Sequence, residues 1–349
     1  GSEMCIRDRP KSLDLMRDIT PLPHWMNAGF SSYSIWWLLC HYEWYRYHGN
    51  KAYLEQSRDY ITALLRQLMT QIAPDGQECL DGTRFLDWPS NSNKDAIAAG
   101  LQALMVWGMR VGVEFAELFE DRQLSNDCKA AEKKLVKAAS KVYKKFLASC
   151  PAPDAPGSKQ VTALMTITGL IDAPKADKEF LSINGAQGFS TFYGYYMLEA
   201  MAMAGNYQGA LDVIREYWGA MIDLGATSFW EDFDINWIPN AAPIDELVPE
   251  GKKDIHGDCG AYCYVGFRHS LCHGWASGPT SWLSRHILGV EVIEPGCRQV
   301  RITPHLGDLQ WVKGTFPTPY GELQIYHEKQ ANGNVISEVK APKGVSVIK

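Results

Sequence analysis

Between about residue 30 and residue 290, apolar positions recur at helical spacing. In 34–47 the side chains of Ile35, Leu38, Leu39, Tyr42 and Tyr45 fall at that spacing, and Gly49-Asn50 ends the run. The same reading predicts a helix over 51–72, stopped by Pro74-Asp75-Gly76, and one running to Val113, opened by Ser92-Asn93-Lys94-Asp95. Others fall at 129–147, 159–171, 192–204 and 207–224, the last two parted by Gly205-Asn206, and a late one at 279–288. The lysines of 129–147 line the wet face of an amphipathic helix and read as a solvated surface, not a binding patch. The helices pair through short turns at a pitch of about 40 residues, the pattern of stacked helical hairpins, open as a solenoid or closed as a toroid. No fixed-position motif recurs, which disfavours a regular solenoid. Residues 225–272 interrupt the pattern as a long aromatic-rich loop region, and loops of that length are usually functional.

The period changes after Gly289. Short alternating or apolar runs at 290–293, 299–303, 309–315, 321–328 and 335–340 are punctuated by Glu294-Pro295-Gly296 and Ala331-Asn332-Gly333-Asn334. They predict an antiparallel β-domain with hairpin turns over 289–349. At about 60 residues it is thin for an independent sandwich, so it is expected to pack on the helical part, 10–288, or to be clipped at its C-terminus. Residues 1–9, GSEMCIRDR, are polar, match nothing downstream and are set apart as a non-native scar. The natural N-terminus is then missing, and localisation is not legible from it; a secreted or periplasmic destination is favoured over the cytoplasm.

Composition removes several classes. With 21% charged residues, a net charge of −6, no basic stripe and no Gly-rich phosphate loop, no nucleic-acid partner is expected. No apolar run approaches the roughly 18–20 residues needed to span a bilayer, so membrane insertion is not expected either. The 12 Trp and 16 Tyr suit a sugar-binding cleft, and equally an aromatic core. Nine cysteines are scattered. Their one cluster, His256-x-x-Cys259-x-x-x-Cys263 followed by Cys272-His273, lacks the spacing of a zinc finger or ribbon and lies among Tyr, Val and Phe. Buried thiols are favoured there over a metal, and no cofactor is expected; whether Cys259 and Cys263 are bonded stays open.

Three segments carry candidate chemistry. Gly225-Ala226-Thr227-Ser228-Phe229-Trp230-Glu231-Asp232 sets a carboxylate beside a large ring just past a helix end. A Trp face stacks on the apolar face of a sugar, and a partly desolvated carboxylate takes or gives a proton at the anomeric centre. Phe85-Leu86-Asp87-Trp88-Pro89 holds a second acid–Trp pair, in which Asp87 serves equally well as a turn cap. Cys272-His273-Gly274-Trp275-Ala276-Ser277-Gly278-Pro279 brings a His and a Trp to the start of a helix, where a histidine is more often a satisfied core residue. Glu199 and Asp223, near helix ends, are explained by solvated or capping roles.

The helix Tyr195-Tyr196-Met197-Leu198-Glu199-Ala200, then Tyr217-Trp218-Gly219-Ala220-Met221 leading into the Trp230-Glu231 segment, resembles the bacterial α-L-rhamnosidases of glycoside hydrolase family 78. So does the ordered series His273–Thr280, Leu288-Gly289-Val290, Glu294-Pro295-Gly296, Pro304–Leu309 and Lys313–Gly321, and more loosely Asp87-Trp88-Pro89 and Trp36-Trp37-Leu38-Leu39. The resemblance implies a mainly α chain: a six-hairpin (α/α)6 toroid followed by a small β-sandwich. It also implies inverting hydrolysis of terminal, non-reducing α-L-rhamnosyl residues of an oligosaccharide, polysaccharide or glycoside. Inversion needs two carboxyl groups roughly 6.5–9.5 Å apart on opposite faces of the sugar. By this resemblance Glu231 is the general base and His273 a substrate-binding histidine. Trp230, Trp275 and Trp88 are walls for the C6 methyl, with Asp87 and Trp36 beside them. The family's general acid belongs to an acidic motif with Arg and Trp that this chain lacks. About nine helices are legible where six hairpins need twelve, so the toroid is expected to be incomplete, truncated at its N-terminus and with little turnover alone. The other readings are a different (α/α)6 glycosidase acting on another deoxy sugar or a uronic acid derivative, a non-catalytic carbohydrate-binding fragment, and a zinc-dependent role.

Overall fold

The computed structural model describes residues 2–255 and 269–348, with side chains from residue 9 onward. The His256, Cys259 and Cys263 grouping lies outside the described residues. Helix α1 (Ser2–Asp18) takes in the segment set apart in the sequence. It packs on α2 (Ser31–His48), where Trp37 Nε1 donates to the Leu13 carbonyl at 2.9 Å. Gly49, at φ +69°, ends α2 in the left-handed region that glycine adopts without strain. The single helix expected over 51–72 is two, α3 (Lys51–Gln56) and α4 (Arg58–Thr70). The break falls at buried Ser57, whose backbone leaves the helical region and whose hydroxyl accepts a 2.8 Å bond from Arg17. A hydroxyl with a tertiary partner overrides weak local helix propensity.

The next pair forms the centre of the core. Asn93 and Asp121 cap α5 (Lys94–Leu118) and α6 (Arg122–Ser149), accepting from the Ala96 and Leu124 amides. Buried Gln102 of α5 donates to Leu135 O of α6 at 2.8 Å and to Gly76 O at 3.1 Å. By length and composition α5 is apolar enough to cross a membrane, which the interrupting Gln102 and Arg110 conceal in the sequence. Here 78% of its apolar window is buried in the protein, as expected of a core helix that is hydrophobic on all sides. Then come α7 (Ser158–Ile167), α8 (Gly194–Met203), α9 (Tyr207–Asp223) and α10 (Gly278–Trp282). The last runs on through a wider turn, Leu283–Ile287. Glu199 is not the solvated side chain expected from its place near a helix end. It is buried and ties α8 to that turn, 3.3 Å from Arg285 and 3.0 Å from His286.

A two-residue parallel pair, β1 (Ala241–Ala242) and β2 (Lys253–Asp254), crosses the long loop region. The C-terminal part is two three-stranded sheets. One has the order β3 (Val290–Glu294), β4 (Gln299–Ile302), β8 (Ser346–Ile348); the other is the meander β5 (Trp311–Thr318), β6 (Gly321–Lys329), β7 (Val335–Lys340). Strand β8 went unpredicted and pairs parallel with β4, so the domain is not wholly antiparallel. The chain returns to β4 from the other sheet, and no hairpin then fixes strand direction. Val290, Val300, Ile302, Phe316, Leu323 and Ile325 fill the space between the sheets. The domain is fastened to the helices by Arg46 to Val292 O at 2.9 Å and by Arg215 to Asp308 at 2.8 Å.

Gly289 joins the two parts at φ +72°, and a Cβ there would stand 2.4 Å from the Thr303 carbonyl carbon. Gly289→Ala therefore combines an unfavourable φ with a backbone clash. It is expected to cost about 3 kcal/mol, read as a lowered melting temperature.

Candidate active site

The segments that precede α5, α8 and α10, with the first turn of α7, meet in one polar and aromatic layer. Asp87 caps the short turn Trp88–Ser90, Pro89 being well suited to its start. Its side chain is only 2% exposed. One oxygen accepts from the Trp88 amide at 2.9 Å; the other accepts from Ser190 Oγ and, at 3.3 Å, from Gln160 Nε2. Burial pushes its carboxyl up to about 6, and the three donors only partly oppose that. Asp87 thus does the capping and sits in the site layer together, which the sequence left as alternatives.

Ser190 and Thr191 carry the layer onward. Ser190 holds Asp87, while Thr191 Oγ1 donates to the Glu231 carbonyl. The Trp275 indole N–H donates to that same carbonyl at 2.7 Å. Glu231 and Ser270 exchange backbone contacts, Glu231 N donating to Ser270 O at 2.8 Å, and Ser270 N donating to Glu231 Oε2 at 2.8 Å. The carboxylate is 12% exposed, and its Oε1 faces His273 Nε2 at 3.6 Å. The Trp275 amide points at His273 Nδ1 at 3.4 Å, and Nε2 faces Glu231. The result is a carboxylate with one oxygen held by a backbone amide and the other beside a histidine.

The aromatic residues sort into two groups. Trp275 lies against His273 with ring centroids 4.4 Å apart and stacks on Phe192 at 5.3 Å; Trp88 is half-buried and packs edge-on against Phe85 at 5.0 Å. Both remain open enough to meet a ligand. Trp230 is different: it has no exposed surface and packs edge-on against Phe233 in the core. Its neighbour Glu231 keeps 12% of its side chain exposed, beside His273. Trp36 is also nearly covered, ringed by Trp107, Phe192, Tyr193 and Tyr196. It supports Phe192, and through it Trp275, from behind.

Sequence reasoning missed Gln160, Ser190, Thr191 and Ser270. Small hydroxyls in loops and a backbone amide leave no periodic signal. Tyr33 was missed as well: its phenol is raised by burial first, then by Asp87 and Glu231, so it feels both carboxylates. Among the described residues no three His, Cys, Asp or Glu side chains cluster as metal ligands.

Residues 289–348 match the family model described as the bacterial alpha-L-rhamnosidase C-terminal domain. No curated protein sequence matches the chain. Among solved structures, the chain superposes over 97% of its length on the GH78 family rhamnosidase of Bacillus sp. GL1, with a TM-score of 0.71 and 21% identity. It covers 97% of its length on the alpha-L-rhamnosidase from Dictyoglumus thermophilum, at TM-score 0.72 and 18% identity. A third likeness is to the Streptomyces avermitilis alpha-L-rhamnosidase complexed with L-rhamnose, at TM-score 0.61, 18% identity and 90% coverage. The chain spans 36%, 38% and 28% of those three proteins. The chain therefore shares the fold of part of these three structures, a helical domain followed by a β-sheet domain. Residues 289–348 are the segment that matches the rhamnosidase C-terminal domain.

Proposed function

We propose that this chain forms the general-base side of an inverting glycosidase site for terminal α-L-rhamnosyl groups. The observation that carries the proposal is the Glu231 carboxylate. Its side chain is 12% exposed, anchored at Oε2 by the Ser270 amide, with Oε1 3.6 Å from His273 Nε2. A carboxylate held in this way orients and deprotonates a water below the anomeric carbon, while an acid across the ring protonates the leaving oxygen. In this reading His273 meets a sugar hydroxyl, and the exposed parts of Trp275 and Trp88 take the apolar edge that bears the methyl group. The likeness to three rhamnosidases, one of them complexed with L-rhamnose, favours that sugar over other deoxy sugars.

The acid partner is the other half of the mechanism. Asp87 accepts from Trp88, Ser190 and Gln160, which fix its carboxyl within the layer. Asp95 pairs with Lys145 at 2.9 Å, which holds its carboxyl below the usual range and makes it a poor proton donor. The 349 residues alone are therefore expected to bind L-rhamnose and to turn over an aryl α-L-rhamnoside very slowly. The test is hydrolysis of a panel of aryl glycosides by the purified chain. Rapid release from the rhamnoside would make Asp87 the acid, and preferential turnover of another glycoside would overturn the sugar assignment.

A further inference from the structure

Lys159 stands in the first turn of α7 with no exposed surface. Among the described residues no carboxylate pairs with it; its Nζ donates to Ile183 O at 2.9 Å and Gly185 O at 2.7 Å, and lies 5.0 Å from the centre of the Phe189 ring. Taking an ammonium out of water costs several kcal/mol, and an apolar side chain of similar volume would fill the space without that cost. Packing does not explain the charge; what it holds does.

The carbonyls belong to a tightly wound segment in which Asn184, Gly185 and Gly188 all have positive φ, at 57°, 53° and 78°. Such a backbone is costly for Asn184 and is kept only where its surroundings determine it. Acidic groups clasp the same segment from outside. Asp177 accepts from Ser182 Oγ at 2.7 Å, Glu216 from the Ala186 amide at 2.9 Å, and Asp154 from the Asn184 amide group at 3.4 Å. These three carboxylates are also the charged groups that face the ammonium. Gln160, the next residue, reaches Gly188 O and Ser190 Oγ at 3.5 Å, and Asp87 at 3.3 Å. Immediately beyond the segment come Ser190 and Thr191, the two hydroxyls that hold Asp87 and the Glu231 backbone.

We propose that Lys159 is a positioning residue: its buried ammonium fastens the 183–189 segment, and that segment, through Ser190 and Thr191, sets the place of Glu231. The clasp stands on its own geometry, while its effect on sugar binding rests on the role proposed for Glu231. Burial lowers the Lys159 ammonium to about 8. Because the folded value lies below the unfolded one, the group's contribution to global stability rises as pH climbs from about 8 toward the ordinary lysine range. The neutral amine keeps two N–H donors for the two carbonyls, so the clasp persists over the same climb.

The experiment is hydrogen exchange of the amides of 184–191 in the wild-type chain and in Lys159→Met, with L-rhamnose affinity measured by calorimetry on both. In Lys159→Met, protection factors in 184–191 should be about tenfold lower than in wild type while those of α8 hold, with L-rhamnose affinity about tenfold weaker. If 184–191 keeps its wild-type protection in Lys159→Met, or in Lys159→Gln should the first variant fail to fold, the clasp is refuted. If the segment loosens but affinity is unchanged, the positioning of Glu231 is refuted. If the segment loosens as expected but neither protein binds the sugar, the clasp stands and the reading of the Glu231 site falls.

Discussion

Glu231→Gln, in the catalytically competent protein, is expected to lower kcat on an aryl α-L-rhamnoside by about 10²–10⁴-fold, the span ascribed to general acid–base catalysis. Affinity for L-rhamnose should stay close to that of wild type. The amide keeps the shape of the carboxylate and an oxygen for the Ser270 N–H, so the fixed half of the group survives. What is lost is the basic oxygen, Oε1, that faces His273. Rate falls without binding because the sugar meets His273 and the tryptophans, whereas the water needs the base. Stopped-time hydrolysis assays alongside calorimetry separate the two quantities. A kcat near wild type would remove Glu231 from the mechanism, and a parallel collapse of binding would make it a sugar ligand instead.

The second large effect belongs to Asp87. Asp87→Ala strands the Trp88 amide, the Ser190 hydroxyl and the Gln160 amide group in a buried site. Unsatisfied buried donors each carry a desolvation penalty, and the substitution is expected to cost about 3 kcal/mol at pH 5. The pH dependence has a definite sign. The folded value, about 6, lies above that of an ordinary aspartate, because burial disfavours the charged form. The stability contributed by the protonated carboxyl is therefore fully present below pH 4 and is lost as pH rises through about 6. Denaturant melts of wild type and Asp87→Ala should show a gap that narrows between pH 5 and pH 7.5. A gap that widens over that interval would mean that the three donors outweigh burial and that Asp87 works as an anion.

Much of this was legible in the sequence, for identifiable reasons. Amphipathic spacing with strong punctuation placed the helix ends at Gly49, Asn93 and Asn206, since those residues hold caps whose chemistry is local. Strand β7 fell where predicted because alternation and the Asn332-Gly333 turn agree there. Acid–Trp pairs and the His273–Trp275 segment drew notice because catalysis and sugar stacking need those groups. Other features depend on distant partners. The break at Ser57 answers to Arg17, and β8 to a strand more than forty residues earlier. Trp230 shows the limit of motif reading most plainly. Adjacent to Glu231 in sequence, it has no exposed surface, and only the fold tells which of the two keeps some. Likewise, Lys159 looks like an ordinary helix lysine until its burial is seen.

The central claim is that the layer around Glu231 receives a rhamnosyl group. Calorimetric titration of L-rhamnose into the purified chain, repeated on Trp275→Ala and His273→Ala, tests it most directly. The account predicts saturable binding at one site in wild type, weakened at least about tenfold by either substitution, as expected when a stacking face or a hydroxyl partner is removed. Absence of saturable binding in wild type, or binding that neither substitution alters, would contradict it.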